Sequence, residues 1–323
     1  MSDSIRLEVS NLVKDFDTSI GIRKLRMRAL NDVSLYLESG KVLAVVGESG
    51  SGKSTIARII ARMYGPTQGE IHINGQLVSG KMKRNELLKF RRQVQMVFQD
   101  PFGSLNPTHN IYHHIARPFI VHKGLKGSAL KQAVIAQLEQ VGLTPAADVA
   151  ERYPHQLSGG QRQRVNIARA MAAGAQIILA DEPTSMLDVS IRIGVLNLME
   201  EMRDKLNIGF MFITHDIATA RYFAERIAVM YVGHMVEWGS NEQITQSPKH
   251  PYTQLLISAV PNPGQRIDTP LEGGKRGDIP LWTPQKQGCP FAGRCLKVKP
   301  ECHEQMPEVK EVAEQHFVRC HLY

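Results

Sequence analysis

A lysine and a serine placed behind spaced glycines can hold phosphate, and residues 47–55, Gly47-Glu48-Ser49-Gly50-Ser51-Gly52-Lys53-Ser54-Thr55, have that spacing. The apolar run Val42-Leu43-Ala44-Val45-Val46 before it reads as a buried strand, and Ile56 to Arg62 after it reads as a helix. Strand, glycine loop and helix in this order are the context that makes the G-x-x-x-x-G-K-[ST] pattern a phosphate site. The glycines let backbone N–H groups turn inward toward an anion, and the helix adds its positive end. Lys53 is expected to meet the β- and γ-phosphates, and the Ser54 hydroxyl to sit on Mg²⁺. An accidental glycine-rich turn would lack the flanking strand and helix.

Asp181 and Glu182 follow the apolar run Ile177-Ile178-Leu179-Ala180. A carboxylate at the end of a buried strand can hold Mg²⁺, and the next one, pointing elsewhere, can orient or deprotonate an attacking water. Taken alone, two acids after a strand are commonly just solvated. With the phosphate loop they form the second half of a nucleotide hydrolase.

Leu157-Ser158-Gly159-Gly160-Gln161-Arg162-Gln163-Arg164 carries a second anion site. Ser158 can cap a helix bearing Val165, Ala168 and Met171, while the two glycines leave bare N–H groups at its positive end. One chain around one nucleotide has no use for two such sites on the same phosphates. Ser158 to Gln161 is therefore expected to serve the nucleotide of a partner subunit.

The elements that must position these residues follow in chain order. Arg6 to Val9 and Val33 to Leu37 alternate as strands, and the basic segment from Thr18 to Met27 reads as a loop inserted between them. Glu70 to Ile73 is a strand entering an Asn74-Gly75 turn. Glu86 to Arg92 is a short helix, and Val94 to Phe98 a strand delivering Gln99. Asp100 to Pro107 is irregular, and a helical pattern runs from there to about Gly142. Further strands are expected at Phe210–Thr214, Ile227–Tyr231 and Met235–Trp238, with a helix at Ile191–Leu206 and a hairpin turn around Gly233-His234. Strands alternating with helices predict a mostly parallel sheet whose ligands gather beyond the strand carboxyl ends. The phosphate loop, Gln99, Asp181 and His215 all follow strands and are expected to meet at one edge.

Composition sets the outer limits. With 323 residues, 42% hydrophobic and 22% charged, the chain is ordinary for about two domains. No run approaches the length of a membrane span, and the first ten residues show no signal-peptide pattern, so a cytoplasmic location is expected. Lys and Arg number 39 against 31 Asp and Glu, a net charge of +8. That charge suits nucleic acid, an anionic membrane face or a nucleotide without choosing among them. All 4 cysteines, Cys289, Cys295, Cys302 and Cys320, fall near the C-terminus. Four thiolates could hold Zn²⁺ or an iron–sulfur cluster, or remain reduced and unligated, and neither zinc-ribbon nor bacterial ferredoxin spacing is present.

Residues 5 to about 240 resemble the ATP-binding subunits of ABC transporters. The resemblance rests on the GESGSGKS loop, on Gln99 as the Q-loop residue, on LSGGQ as the signature and on IILADE. It extends to Ser185-Met186-Leu187-Asp188 as the D-loop and His215 as the switch histidine. It implies a P-loop ABC ATPase core of α/β class with a mostly parallel sheet, an antiparallel β lobe and a helical subdomain at about 101–172. Phe16 would then stack on adenine, Ser54, Gln99 and Asp181 would position Mg²⁺, Glu182 would be the general base, and His215 would contact the γ-phosphate. The main rivals are a core role for Phe16 and a helix-capping role for His215. Met186 departs from the family's usual Ala and is expected to have a modest packing effect, leaving Asp188 in place.

The tail narrows the resemblance. His250-Pro251-Tyr252-Thr253-Gln254-Leu255-Leu256, Pro261 and Cys289-Pro290-Phe291-Ala292-Gly293-Arg294-Cys295 are similar to the C-terminal extension of dipeptide and oligopeptide importer ATPases. The division expected is an ATPase domain over 1–240 and a cysteine-containing extension over 241–323. The resemblance implies a [4Fe-4S] cluster on Cys289, Cys295, Cys302 and Cys320 as a structural clip. It further implies two membrane permeases, a second ATPase subunit that is a paralogue or a second copy, an external solute-binding protein, and a peripheral place on the cytoplasmic face of the membrane. No nucleic acid is expected. The alternatives are a soluble ABC-type ATPase acting on nucleic acid or ribosomes, an exporter, and import of nickel, glutathione or a glycoside.

Overall fold

The computed structural model describes residues 4–20, 23–260, 273–275 and 277–323. Pro261 and part of the Pro- and Gly-rich stretch after it lie outside the described residues. Its elements, in chain order, begin with β1 (Arg6–Ile20), β2 (Arg23–Glu38), β3 (Val42–Val46), α1 (Lys53–Ile60), β4 (Gln68–Ile73) and β5 (Gln76–Leu77). Next come α2 (Arg84–Gln93), β6 (Val94–Val97), α3 (Ile111–Lys123), α4 (Gly127–Gln140), α5 (Ala146–Glu151), α6 (Gly159–Ala173), β7 (Ile177–Asp181) and α7 (Val189–Leu206). The chain continues with β8 (Gly209–Thr214), α8 (Ile217–Phe223), β9 (Arg226–Tyr231), β10 (His234–Ser240), α9 (Asn241–Gln246) and α10 (Pro251–Ser258), and closes with α11 (Glu301–Glu304), β11 (Val309–Ala313) and β12 (His316–Arg319).

The chain divides into two compact units, the first built mainly from Gly80–Phe212 and the second from Leu7–Tyr36, Val42–Ser79 and Ile213–Tyr323. In the first, β6 and β7 run parallel, with Val94 opposite Ile177 and Val97 opposite Ala180, and the strand order is β8-β7-β6. Every residue of β7 is buried, as its unbroken apolar run requires of a parallel strand covered on both faces. Helices α3, α4, α5 and α6 pack on one another over Ile115, Val134, Leu138, Val149, Val165 and Ala168.

The second unit holds two sheets. One has the order β2-β1-β4-β5, with β4 antiparallel to β1 and joined to β5 through Asn74 and Gly75, both at positive φ. The other runs β11-β12-β10-β9-β3, with β3 parallel to β9 and the remaining pairs antiparallel. The β9–β10 turn is Val232-Gly233, one residue earlier than expected, and both sit at positive φ as a tight hairpin needs.

One expectation is corrected. The basic segment from Thr18 to Met27 is not a loop inserted in a hairpin, because β1 runs to Ile20 and β2 starts at Arg23. The long arms are possible because Asp15 takes up the local charge, lying 2.8 Å from Arg28 Nε and 3.4 Å from Arg26 Nε. The tail also carries two strands that the sequence reading does not name, β11 and β12, which extend the sheet past β10, where the Trp238 and Phe317 rings stack 5.5 Å apart.

Candidate functional site

The loop from Gly47 to Thr55 grows out of β3, whose five residues are all buried. Two of its glycines are required by close approach. A Cβ on Gly47 would lie 2.2 Å from the Met230 carbonyl oxygen, and one on Gly52, at φ +98°, would lie 2.6 Å from that of Ala29. Gly52 is also the residue before α1 and contributes no capping side chain, so the helix presents backbone N–H groups at its positive end. Lys53 is only 4% exposed, and its Nζ donates to the carbonyl oxygens of Gly47 at 2.7 Å and Glu48 at 2.9 Å. The ammonium therefore stands inside the curl of the loop. Ser54 and Thr55 are half-buried at the start of α1, while Ser49 and Gly50 are exposed and Ser51 is buried.

Phe16 is half-buried with its ring edge-on to Tyr64 at 5.6 Å and beneath Lys14 Nζ at 5.0 Å. It is not a core residue. His215 follows β8 and is exposed, and the cap of α8 is Asp216, whose Oδ1 accepts from Ala218 N–H at 2.9 Å. His215 is thus not a helix cap. Both residues belong to the same unit as the phosphate loop.

The other unit carries the carboxylates. Asp181 ends β7 and is 1% exposed. Glu182 follows the strand at φ +43°, a left-handed conformation uncommon for a residue other than glycine. Gln99, exposed just beyond β6, donates through Nε2 to Glu182 Oε2 at 2.9 Å. The turn after Glu182 is closed by Ser185, whose Oγ and N–H both donate to the Glu182 carbonyl, at 3.1 and 3.2 Å. Asp188 is exposed at the start of α7. Met186 is 54% exposed, so the packing effect expected of it has no core to act on.

Ser158 caps α6 reciprocally: its Oγ accepts from Gln161 N–H at 3.3 Å, and Gln161 Oε1 accepts from Ser158 N–H at 3.0 Å. Gly159 is half-buried and Gly160 buried at the first helical positions. A Cβ on Gly160 would meet Ile191 Cγ2 at 2.4 Å, so glycine is needed for α6 to lie against α7.

Past β10, the segment holds contacts that the motifs do not reveal. Tyr252 and Arg294 both bond to Glu48, the Tyr252 hydroxyl accepting from its N–H and the Arg294 guanidinium donating to its carboxylate. The only signal in the sequence was the company they keep, an HPYT helix start and a Cys-flanked loop. The cysteines are near one another. Burial pushes the Cys289 thiol up to about 12, and Cys320, Cys302 and Cys295 push it the same way. Cys295 Sγ accepts from Lys297 N–H at 3.3 Å and Cys302 Sγ from Lys299 N–H at 3.4 Å. Among the described residues, however, no three His, Cys, Asp or Glu side chains form a group that could hold a metal ion. Among the same residues no helix is long and apolar enough to cross a membrane.

Comparison with known proteins gives two family matches, to the ABC transporter family over residues 30–185 and to the oligopeptide/dipeptide transporter C-terminal region over residues 236–302. The oligopeptide transport ATP-binding protein AppF of Bacillus subtilis (strain 168) is 42% identical, across 98% of this chain and 97% of its own length. The di/tripeptide transport ATP-binding protein DppF of Pseudomonas aeruginosa (strain UCBPP-PA14) is 40% identical across 98% and 97%. Among solved structures, the dimeric post-hydrolysis state of the ATP-binding cassette MJ0796 bound to ADP and Pi aligns with a TM-score of 0.64 at 31% identity, over 73% of this chain and 98% of that one.

Proposed function

Because this chain belongs to the family of ABC transporter ATP-binding subunits and is an ATPase, we propose that it couples ATP hydrolysis to the uptake of dipeptides or oligopeptides through membrane permeases. The observation that carries the peptide reading is the extension. It matches the oligopeptide/dipeptide transporter C-terminal region, and relatives named for peptide transport align along nearly the whole chain.

In this reading the residues of each unit take the following roles. Phe16 stacks on adenine, and Lys53 and the loop amides hold the phosphates. Asp181, a buried carboxylate at a strand end, and Ser54, a hydroxyl at a helix start, suit a hard divalent cation. Together with Gln99 they would hold Mg²⁺, which neutralises phosphate charge when bound. Glu182 takes the proton of the attacking water, Gln99 aims it, and His215 contacts the γ-phosphate. Ser158, Gly159, Gly160 and Gln161, with Asp188, serve the nucleotide of a second ATPase subunit, a paralogue or a second copy.

The ATPase domain covers residues 1–240, with a helical subdomain at about 101–172, and the extension covers 241–323. The whole sits peripherally on the cytoplasmic face of the membrane, and an external binding protein, an indirect partner, supplies solute to the permeases. We further propose that Cys289, Cys295, Cys302 and Cys320 take up a [4Fe-4S] cluster, supported by the grouping of all four cysteines in the last 35 residues and by the amide donors to Cys295 and Cys302, with the thiols drawn closer together than they stand here. Iron and acid-labile sulfide in anaerobically purified protein test this, and absence of both would refute it.

The transport reading is tested by affinity purification of the chain from detergent-solubilised membranes, with co-purifying proteins identified by mass spectrometry. Two polytopic permeases and a second ATPase are expected. Recovery only from the soluble fraction, with nucleic acid or ribosomes, would overturn it.

A further inference from the structure

Glu48 is held at every polar group it has. Its N–H donates to Tyr252 Oη at 2.9 Å. Its carboxylate accepts from both ends of the Arg294 guanidinium, Nη1 to Oε2 at 2.7 Å and Nη2 to Oε1 at 2.9 Å. Its carbonyl accepts from Lys53 Nζ at 2.9 Å and from Ser51 N–H at 3.2 Å. One residue of the phosphate loop thus joins the loop's lysine to two side chains more than 200 positions away.

The far side of this link is held by several bonds. Arg294 Nε donates to the Lys275 carbonyl at 2.9 Å, Lys275 N–H returns a bond to the Arg294 carbonyl at 2.8 Å, and Nη1 reaches Tyr231 Oη at 3.3 Å. The rings of Tyr231, Tyr252 and Phe291 close around one another at centroid distances of 4.6 to 5.3 Å. The arginine side chain is 10% exposed and the Glu48 side chain 30%. A two-pronged, charge-assisted pair this well shielded holds geometry better than an exposed one.

We infer that Arg294 is a positioning residue for nucleotide binding, acting through Glu48 on Lys53 and the phosphate loop. This rests on the reading of that loop as the phosphate site. Arg294 acts in two ways. It fixes the loop's second residue, and it neutralises a carboxylate that would otherwise stand one residue from the bound phosphates and repel them. Because Arg294 lies between Cys289 and Cys295, the folding of the cysteine segment reaches the nucleotide through this pair.

The test is ATP affinity of the full chain, by titration with a fluorescent ATP analogue, for Arg294→Gln, Arg294→Lys and the double variant Arg294→Gln/Glu48→Gln. Arg294→Gln is expected to weaken binding roughly tenfold, the equivalent of about one charge-assisted hydrogen bond. The double variant should recover part of that loss, because the unpaired carboxylate is gone. A purely structural clip predicts no such recovery. In the assembled transporter, KM for ATP should rise while kcat at saturating ATP changes by less than about twofold. Should Arg294→Gln fail to fold, Arg294→Lys decides: it keeps the charge without the two-pronged geometry and should bind about threefold more weakly. Unchanged affinity in a folded Arg294 variant, or a double variant as weak as the single, overturns the inference. Lys53→Ala is measured in parallel. If it binds as the unaltered chain does, the phosphate-site reading itself has failed, whatever Arg294 does.

Discussion

Gln99 Nε2 donates to Glu182 Oε2 at 2.9 Å, joining residues 83 positions apart at the ends of two neighbouring parallel strands. The pairing of β6 with β7 places their carboxyl ends side by side, and Glu182 follows at a left-handed φ of +43°. The amide proposed to help hold Mg²⁺ is thereby in contact with the proposed base.

The start of α6 should tolerate no side chain at its second residue. Gly160→Ala drives a methyl into Ile191 and is expected to cost about 1–3 kcal/mol of stability by overpacking. In the assembled transporter its ATP turnover should fall by roughly tenfold or more, as loss of a transition-state contact does. ATP affinity of the separate chain should stay unchanged, because Gly160 is assigned to the partner's nucleotide. Isothermal titration and a steady-state ATPase assay check the two halves. Weakened binding in the separate chain would place Gly160 on its own nucleotide instead.

The extension hangs on one buried carboxylate. Glu237, 0% exposed, accepts from His316 Nε2 at 2.7 Å and from the N–H groups of Lys249 and His250 at 2.8 Å each. Glu237→Ala leaves the His316 ring and the His250 N–H buried and unpaired and the Lys249 N–H half-buried, so a loss on the order of 3–5 kcal/mol is expected. Hydrogen exchange should then show faster exchange in β12, around Phe317 and Val318, which pair with Trp238 and Glu237. Unchanged protection there would show that other contacts carry the extension.

Two buried histidines make the fold acid-sensitive. Burial lowers His234 and His250 to about 4 each. Arg319 and Arg28 also oppose the charged form of His234, while Glu237 favours that of His250. The bonds require neutral rings: His250 Nδ1 accepts from Tyr252 N–H, and His234 Nδ1 lies 2.6 Å from the Val232 carbonyl with Nε2 on Asn31. In the unfolded chain both titrate near about 6.5, so between there and about 4 the unfolded state binds more protons and stability falls as pH falls. Each histidine contributes about 1.4 kcal/mol per pH unit, on the order of 3 kcal/mol across the window. Urea denaturation from pH 8 to 4.5 should show this slope, reduced in His250→Gln. An equal slope in that variant would assign the acid sensitivity to other groups.

Local chemistry was legible in the sequence and distant pairing was not. The phosphate loop and the cap at Ser158 are specified within nine residues or fewer by glycines, a lysine and a capping box, and the buried strands β3 and β7 by unbroken apolar runs. β11 and β12 escaped because Val309 to Ala313 is largely exposed and its pattern is barely apolar, so it becomes a strand only beside β12. The β1–β2 arms were hidden by basic residues whose partner, Asp15, lies on the opposite strand. Arg294 and Glu48 are 246 positions apart, and no spacing rule connects them.

The central claim is that Glu182 is the base of an ATPase that closes on a second subunit. Steady-state ATP hydrolysis by the assembled transporter carrying Glu182→Gln, with ATP binding measured alongside, tests it most directly. The account predicts turnover lowered by at least about a hundredfold, ATP affinity within about threefold of the unaltered protein, and a persistent ATP-bound dimer. Ordinary turnover in that variant would contradict it.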